Sequence, residues 1–273
     1  MTVLEWDKTG ERFFETGVSH GVLYPENAPG VAWNGLISVE DSSTDEIEPV
    51  FFDGQKINDV LTSGDFTGVL KAYTYPDEFL ECEGTVEFQE GVFITNQLHT
   101  SFGLSFRTNI GNDLNGPYHG YKLHLLYNIT AVPESKEYQT LSLETEPSEF
   151  AWRISSIPED IDFFRHSAHL IFDSTKIDPY LLADIEDILY GSEDNDPHLP
   201  SMKSLGGFIR SWNRLVITDH GDGTWSAYSP VPGVIEMLGP DEFQITSDTA
   251  VYLDADTYEI TTSEKNDGDI WLP

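Results

Sequence analysis

The sequence is short of cysteine, of basic residues and of long apolar runs. Cys82 is the single cysteine among 273 residues, so no intrachain disulfide is possible. Lysine and arginine total 14 against 48 aspartates and glutamates, which gives a formal net charge of −34. Ordinary nucleic-acid binding relies on cations that meet phosphates, and this composition argues against it. No run approaches the roughly 18 apolar residues needed to span a bilayer, so we expect no membrane partner.

The acidic residues are spread along the whole chain, which predicts an acidic surface rather than an acidic tail. Self-repulsion of this size opposes compaction and association, so other interactions must offset it. The first residues, MTVLEWDKTGERFFETG, lack the basic flank and apolar run of a signal peptide, and we expect folding in a cytosol. Glu81 and Glu83 disfavour a Cys82 thiolate, which predicts a packed rather than a reactive cysteine.

Most of the chain shows the composition and alternation of β-strands. No helical pattern separates the predicted strands, which favours a mainly β fold, an antiparallel sandwich or barrel, over βαβ units. The eight predicted strands of the main body are 17–25, 30–40, 48–54, 65–76, 102–111, 120–133, 148–158 and 166–174.

One amphipathic helix is predicted in the segment DPYLLADIEDILYG, residues 178–191. Asp178 can cap it, Pro179 fits its first position, and Gly191 can end it. We expect its apolar face to cover an edge or a face of the sheet. A helix packed into the core with no interface role is the alternative. The apolar face consists of Leu181, Ile185, Ile188 and Leu189.

The long connection 76–101 is unusual inside a compact domain, and such connections are usually functional. Its sequence, PDEFLECEGTVEFQEGVFITNQLHTS, predicts a short helical turn followed by a projecting loop with some strand character. A loop folded over its own subunit is the alternative.

The chain divides at a polar segment that contains proline and glycine. We predict a β-sandwich domain at 1–191, a linker at 192–207 and a small β-rich C-terminal extension at 208–273. The turn DHGDGT, residues 219–224, predicts a hairpin within that extension.

No catalytic constellation stands out, and we expect neither an enzyme nor a cofactor or metal site. Acidic pairs are abundant, but no spacing selects a glycosidase pair. DHGDGT (219–224) and NDGDI (266–270) lack the terminal glutamate of a calcium loop. His166 and His169 fall on opposite faces of a strand, which prevents joint metal ligation. The six tryptophans are dispersed, which favours core or interface packing over sugar stacking.

Several stretches resemble the major tail, or tail tube, proteins of long non-contractile-tailed bacteriophages, most closely those of actinobacterial phages. They are MTVLEWDKTGERFFETGVSHGVLYP, KAYTYPDEFLECEG, FGLSFRTNIGND, GYKLHLLYNITAVP, AHLIFDST and IEDILYG. The resemblance covers roughly residues 1 to 191 in order. The resemblance identifies a class of structural protein, and it does not identify any active-site residues.

The resemblance implies a tail-tube-type subunit that forms rings, usually of six copies, which stack into a hollow tube. The tube forms in the host cytoplasm and becomes part of the virion tail. Its implied partners are other copies of the chain, a tape measure protein, and tail-tip and terminator proteins. Genomic DNA would pass through an acidic lumen without specific binding. In this context the loop 76–101 is the candidate for contact between rings, with Phe79, Phe88, Phe93 and Ile94 as anchors.

Two other interpretations stay open. A non-catalytic carbohydrate-binding β-sandwich module would explain the tryptophans and the acidity, but not the lack of a secretion signal. The second is a related tube protein of a contractile injection system. Only the family resemblance of the sequence distinguishes it from a tube protein of a non-contractile tail. Ring symmetry, the lumen-facing residues and the position of the C-terminal extension do not follow from the sequence.

Overall fold

The computed structural model describes residues 5–42, 47–61, 65–134, 147–193 and 195–212. Six further strands are described by their backbone alone. The chain forms two compact units, Met1–Gly207 and Phe208–Pro273.

The described residues of the first unit form twelve strands and two helices, and a third helix begins near the end of the unit. The strands are β1 (Phe13–Pro25), β2 (Val31–Trp33), β3 (Leu36–Asp41), β4 (Ile47–Phe52), β5 (Gln55–Leu61), β6 (Thr67–Ala72), β7 (Val86–Gln89), β8 (Val92–Ile94), β9 (Phe102–Asn112), β10 (Gly116–Pro133), β11 (Phe150–Ser156) and β12 (His169–Asp173). The helices are α1 (Phe79–Cys82), α2 (Pro179–Tyr190) and α3 (Met202–Ser211).

Eight of these strands form one antiparallel sheet. Seven follow the order β2-β1-β9-β10-β11-β6-β3, and the eighth, β12, pairs with β10 off this path. The long strand β10 pairs with β12 along Lys122–Leu126 and with β11 along Ile129–Pro133. The described strands leave this path open between β2 and β3, so the sheet is not a closed barrel. The predicted mainly β class is confirmed, in the form of a sandwich.

Aromatic side chains from distant strands meet in one core. Trp33 of β2 lies 6.0 Å from Trp152 of β11, measured between ring centroids, and both are buried. Leu23 of β1, Leu70 of β6 and Leu104 of β9 belong to the same core. Leu36 and Val39 of β3, at the other end of the sheet, are partly buried against this core. Because side chains from both ends of the sheet meet there, the sheet curls into two packed layers.

The predicted strand 30–40 is two strands. Gly35 has a φ of 79°, a conformation that favours glycine, and it breaks the segment at Asn34–Gly35. The first half, β2, pairs with β1, and the second half, β3, pairs with β6. A short turn therefore joins the two ends of the sheet, which local alternation could not indicate.

Helix α2 has the predicted caps. The Asp178 carboxylate accepts a hydrogen bond from the Tyr180 N–H at 2.9 Å, and Gly191 has a φ of 84°. The predicted apolar face packs inward, although Ile188 is only half-buried. The buried residues of the helix are Leu181, Leu182, Ile185 and Leu189.

Helix α2 contacts strands in the middle of the sheet. Tyr24 of β1 donates a hydrogen bond from its hydroxyl to the Leu189 carbonyl at 2.9 Å. Arg107 of β9 and Tyr121 of β10 each lie 2.7 Å from a carboxylate oxygen of Glu186. The helix therefore covers a face of β1, β9 and β10, and it does not shield a sheet edge.

The predicted linker, 192–207, belongs to the first unit, and its described residues are hydrogen-bonded to other parts of that unit. Gly30 donates its N–H to the Pro197 carbonyl at 2.7 Å, and His198 donates to the Ile188 carbonyl at 3.1 Å. The segment also contains the start of α3, where Met202 and Leu205 are buried. The sequence analysis did not predict this helix, because the segment is mostly polar and the few apolar residues of the helix share one face.

The second unit contains short strands, as predicted. They are β13 (Val216–Asp219), β14 (Trp225–Tyr228), β15 (Ile235–Gly239), β16 (Glu242–Thr246), β17 (Ala250–Asp254) and β18 (Ile260–Thr262). Strands β13 and β14 pair in antiparallel register, with Asp219 opposite Trp225 and Val216 opposite Tyr228. This confirms the predicted hairpin. The turn residues 220–224 and the segment 266–270 lie outside the described residues.

A histidine pair lies beside the core aromatic residues Phe106 and Phe66, with His124 buried and His169 partly buried. His124 Nδ1 and His169 Nε2 lie 3.0 Å apart, and His124 Nε2 lies 3.0 Å from the Thr108 hydroxyl. The His124 ring also stacks on Phe106. Burial, with the neighbouring His169, lowers the pKa of His124 to about 4, and burial also lowers the pKa of His169.

We expect this pair to make folding stability depend on pH. The unfolded chain has histidine pKa values of about 6.5. The folded protein therefore binds fewer protons, and its free energy of unfolding falls as pH drops from about 6.5 towards 4. For His124 alone the loss reaches about 3 kcal/mol, at about 1.4 kcal/mol per pKa unit. Urea unfolding between pH 7.5 and 4.5 measures it.

The matched variants are His124→Gln with His169→Gln, and His20→Asn at an exposed position where φ is 52°. The double variant is expected to lose most of this pH dependence, and His20→Asn is expected to retain it. If the free energy of unfolding of the double variant changes with pH as steeply as that of the wild type, the pH dependence comes from other groups.

Candidate interaction surfaces

The described residues contain no group of three or more histidine, cysteine, aspartate or glutamate side chains placed to hold a metal ion. Cys82 is a free, buried cysteine, and burial together with the Glu81 carboxylate raises the pKa of its thiol to about 12. Its burial confirms the prediction of a packed residue. No helix in the described part of the chain is long and apolar enough to cross a membrane.

The tryptophans divide between core and surface. Trp33 and Trp152 are buried, so they are not available to stack on a sugar. Trp6 is exposed near the start of the described residues. Trp225 and Trp271 belong to the part of the chain whose side chains are not described.

The base of the connection between β6 and β9 is fixed in the core by α1. The Phe79 ring contacts the Trp33 ring at 4.6 Å and the Trp152 ring at 5.0 Å between centroids. It is fully buried, at 0% exposure. Phe79 therefore belongs to the subunit core, and its predicted role as a contact anchor between rings is wrong.

A buried carboxylate strengthens the same attachment. Glu83 follows α1, is only 6% exposed, and accepts a hydrogen bond from the Trp152 indole N–H at 2.9 Å. The Tyr75 and Thr85 hydroxyls also donate to it at 3.4 Å each. A buried polar group is unfavourable unless it is hydrogen-bonded, so these contacts stabilise the packing of α1 against the sheet.

Beyond this base, the chain forms a separate two-stranded hairpin, β7–β8. The N–H of Gln97 donates to the Gly84 carbonyl at 2.9 Å and closes the base of the hairpin. At the tip, Gly91 has a φ of 76° and donates its N–H to the Glu87 carboxylate at 2.8 Å. The predicted helical turn and strand character of the loop are both present.

The hairpin exposes its apolar side chains. Phe88 is 71% exposed, and Phe93 and Ile94 are about half exposed. Val86 and Val92 are exposed beside them. An isolated two-stranded hairpin is marginally stable in water, and clustered exposed apolar residues mark interaction surfaces. Contact of Phe88, Phe93 and Ile94 with another ring stays a prediction.

A second projecting hairpin, β4–β5, was not predicted as a pair of strands. Only 48–54 carries a strand pattern, and its partner Gln55–Leu61 contains Lys56, Asn58 and Asp59, which weaken the β signal. Phe51, Phe52 and Ile57 are exposed on it. The two consecutive aromatic residues before the turn Asp53–Gly54 are a signal that could have indicated this hairpin.

The sequence matches no protein-family model, and no curated protein matches it. Among solved structures, the chain is similar to a chain of the anti-feeding prophage (AFP) baseplate, determined by cryo-EM with 6-fold symmetry. The two share 11% identity, and the match covers 62% of this chain and 97% of that chain. The TM-score of 0.28 is too low to carry an argument about fold or function.

Phe79 and Phe88 lie at the base and on the hairpin of the connection between β6 and β9. Replacing each of them with alanine distinguishes a core residue from a surface residue. Phe79→Ala is expected to lower the free energy of unfolding by about 3–5 kcal/mol, since it empties a core position. Phe88→Ala is expected to change it by about 0.5 kcal/mol or less, as is usual at the surface. Urea unfolding of the two variants measures both. A loss above about 2 kcal/mol for Phe88→Ala would place that residue in the core.

Proposed function

We propose that this protein is a structural component of a phage virion that assembles with copies of itself. The observation that carries the proposal is the hairpin β7–β8, whose apolar side chains are exposed while its base is fixed in the core. A firmly held, uncovered apolar projection is an interaction element, since its contact with water is unfavourable. The sequence resemblance to tail tube proteins supplies the class of assembly.

More specifically, we propose that the assembly is a tail tube. Rings of six copies, the number usual in that family, stack into a hollow cylinder, and the projecting hairpins contact neighbouring copies. The tape measure protein and the tail-tip and terminator proteins are the further proposed partners, and assembly takes place in the host cytoplasm. The role is not catalytic, and it requires no cofactor.

The acidic surface fits a conduit for DNA. A lumen lined by carboxylates repels phosphates, so a duplex can slide through it without being bound. The net charge of −34 provides such a surface, and Lys and Arg contribute only 14 residues against it. A carbohydrate-binding module has less support, because Trp33 and Trp152 serve the core.

Negative-stain electron microscopy of the purified protein tests assembly. We expect rings or filaments from the wild type, and folded, unassembled protein from Phe88→Asp with Phe93→Asp. The new carboxylates would lose their hydration at the contact and lack partners there. The matched control, Phe88→Tyr with Phe93→Tyr, keeps the aromatic rings and is expected to assemble.

Thermal unfolding of the same variants shows whether the aspartate variant is folded. A wild-type protein that stays monomeric at high concentration contradicts the proposal. Loss of the cooperative transition in the aspartate variant would instead place the hairpin in the subunit core.

Assembly is also expected to increase with salt up to moderate concentrations. Every added copy brings a charge of −34, and screening shortens the Debye length from about 30 Å at 0.01 M to about 8 Å at 0.15 M. Light scattering at fixed protein concentration follows the assembled fraction. Scattering that falls steadily with salt would show that attractive ion pairs dominate the contacts.

A further inference from the structure

A cavity of about 300 Å³ lies where the segment 197–201 packs on the main sheet. Its lining includes residues of β1, β9 and β10 together with His198, Leu199 and Ser201. A Cβ at Gly103 of β9 would lie 2.4 Å from the Leu199 side chain. Glycine at this position therefore leaves the space that Leu199 occupies, and the cavity opens beside that contact.

Two tyrosine side chains reach the cavity from the strands on either side of β9. They are Tyr24 of β1 and Tyr127 of β10. Leu23 and Leu126 belong to the aromatic core, and successive side chains of a strand point to opposite faces of a sheet. Tyr24 and Tyr127 therefore point away from that core, to the side of the sheet on which Leu199 packs.

The Tyr127 hydroxyl distinguishes this cavity from an ordinary surface cleft. Tyr127 is only 2% exposed, and its hydroxyl has no hydrogen-bond partner among the described residues. The neighbouring Tyr24 hydroxyl, in contrast, donates to the Leu189 carbonyl and lies 3.1 Å from the Ser105 hydroxyl. A buried hydroxyl without a partner is unfavourable. A molecule bound in the cavity can supply the partner that the described chain does not.

The charges around the cavity select the kind of molecule. Glu26 and Glu159 line it, and in the part of the chain that the structure describes neither carboxylate forms an ion pair. Glu159 accepts hydrogen bonds from neutral donors, the Asn128 side-chain amide at 3.2 Å and the Met202 N–H at 2.7 Å. Burial, followed by the Glu159 charge, raises the pKa of the Tyr127 hydroxyl, which therefore stays neutral. Such a site repels anions and attracts cations.

We propose that this cavity binds a small primary ammonium compound. An –NH₃⁺ group has three donors and no acceptor, and it meets three acceptors here, the carboxylates of Glu26 and Glu159 and the Tyr127 hydroxyl oxygen. The Tyr24 ring adds an aromatic surface of the kind that attracts cations. The net charge of −34 raises the concentration of cations near the protein. The site does not depend on self-assembly.

Titration of dilute, unassembled protein with methylammonium chloride tests the site. The readout is the backbone amide chemical shifts of residues 101–103 and 126–128, at an ionic strength held constant with sodium chloride. We expect saturable changes at these amides. Tetramethylammonium chloride is the matched probe, because it carries the same charge without an N–H donor, and it is expected to bind at least about fivefold more weakly.

Two variants locate the binding groups. Tyr127→Phe and Glu26→Gln with Glu159→Gln are each expected to raise the Kd for methylammonium by about fivefold to tenfold. Glutamine at 159 keeps an acceptor for the Met202 N–H. The control variants lie outside the cavity and are expected to bind as the wild type does. They are Tyr180→Phe and Glu11→Gln with Glu90→Gln, all at exposed positions.

Urea unfolding without the probe gives a second readout for Tyr127. Because Tyr127→Phe removes a buried hydroxyl that lacks a partner, its unfolding midpoint is expected to equal or exceed that of the wild type. A clearly lower midpoint would show that the hydroxyl already has a partner in the free protein, and it would overturn the proposal.

Equal binding of the two ammonium probes, or a Kd that neither variant changes, would also overturn the proposal. Cations would then only screen the acidic surface. Because every titration uses unassembled protein, failure of this site leaves the proposed self-assembly standing.

Discussion

The packing of Phe79 against Trp33 and Trp152 joins the connection between β6 and β9 to the curled sheet. It is reinforced by the hydrogen bond from the Trp152 indole to the buried Glu83 carboxylate. Trp33 comes from the end of the sheet at β2, and Trp152 comes from β11. The same cluster therefore holds the two layers together and fixes the base of the hairpin β7–β8. Both the sandwich and its projection depend on it.

The two faces of the sheet serve different purposes. The concave face buries the aromatic core, and the opposite face of β1, β9 and β10 is covered by α2 through Tyr24, Arg107 and Tyr121. Among the described residues, the two hairpins carry several exposed large apolar side chains, and others, Phe163 and Phe164 among them, are exposed elsewhere on the first unit. In a chain of charge −34, association needs such apolar contacts at places where repulsion is locally reduced.

Local patterns in the sequence predicted most strands of the main sheet, the helix α2 and its caps, because alternation, helical periodicity and capping residues act over short distances. They did not reveal that Phe79 is buried while Phe88 is exposed. Both are aromatic residues in the same connection, and their difference arises from Trp33 and Trp152, which are distant in the sequence. The split of 30–40 into β2 and β3 likewise depends on long-range pairing. Helix α3 was missed because its surroundings are polar. The exposure of Phe88, Phe93 and Ile94 agrees with the prediction of a projecting loop, which came from the length and composition of the connection.

Hydrogen–deuterium exchange of the backbone amides in residues 86–94 tests the central claim most directly, that the uncovered hairpin is the element that assembly covers. The amides are measured in dilute unassembled protein and in assembled protein at the same pH and temperature. The account predicts fast exchange in the unassembled chain and marked slowing on assembly, with little change in the core strand β9. Equal exchange at 86–94 in both states, while assemblies are present, would contradict it.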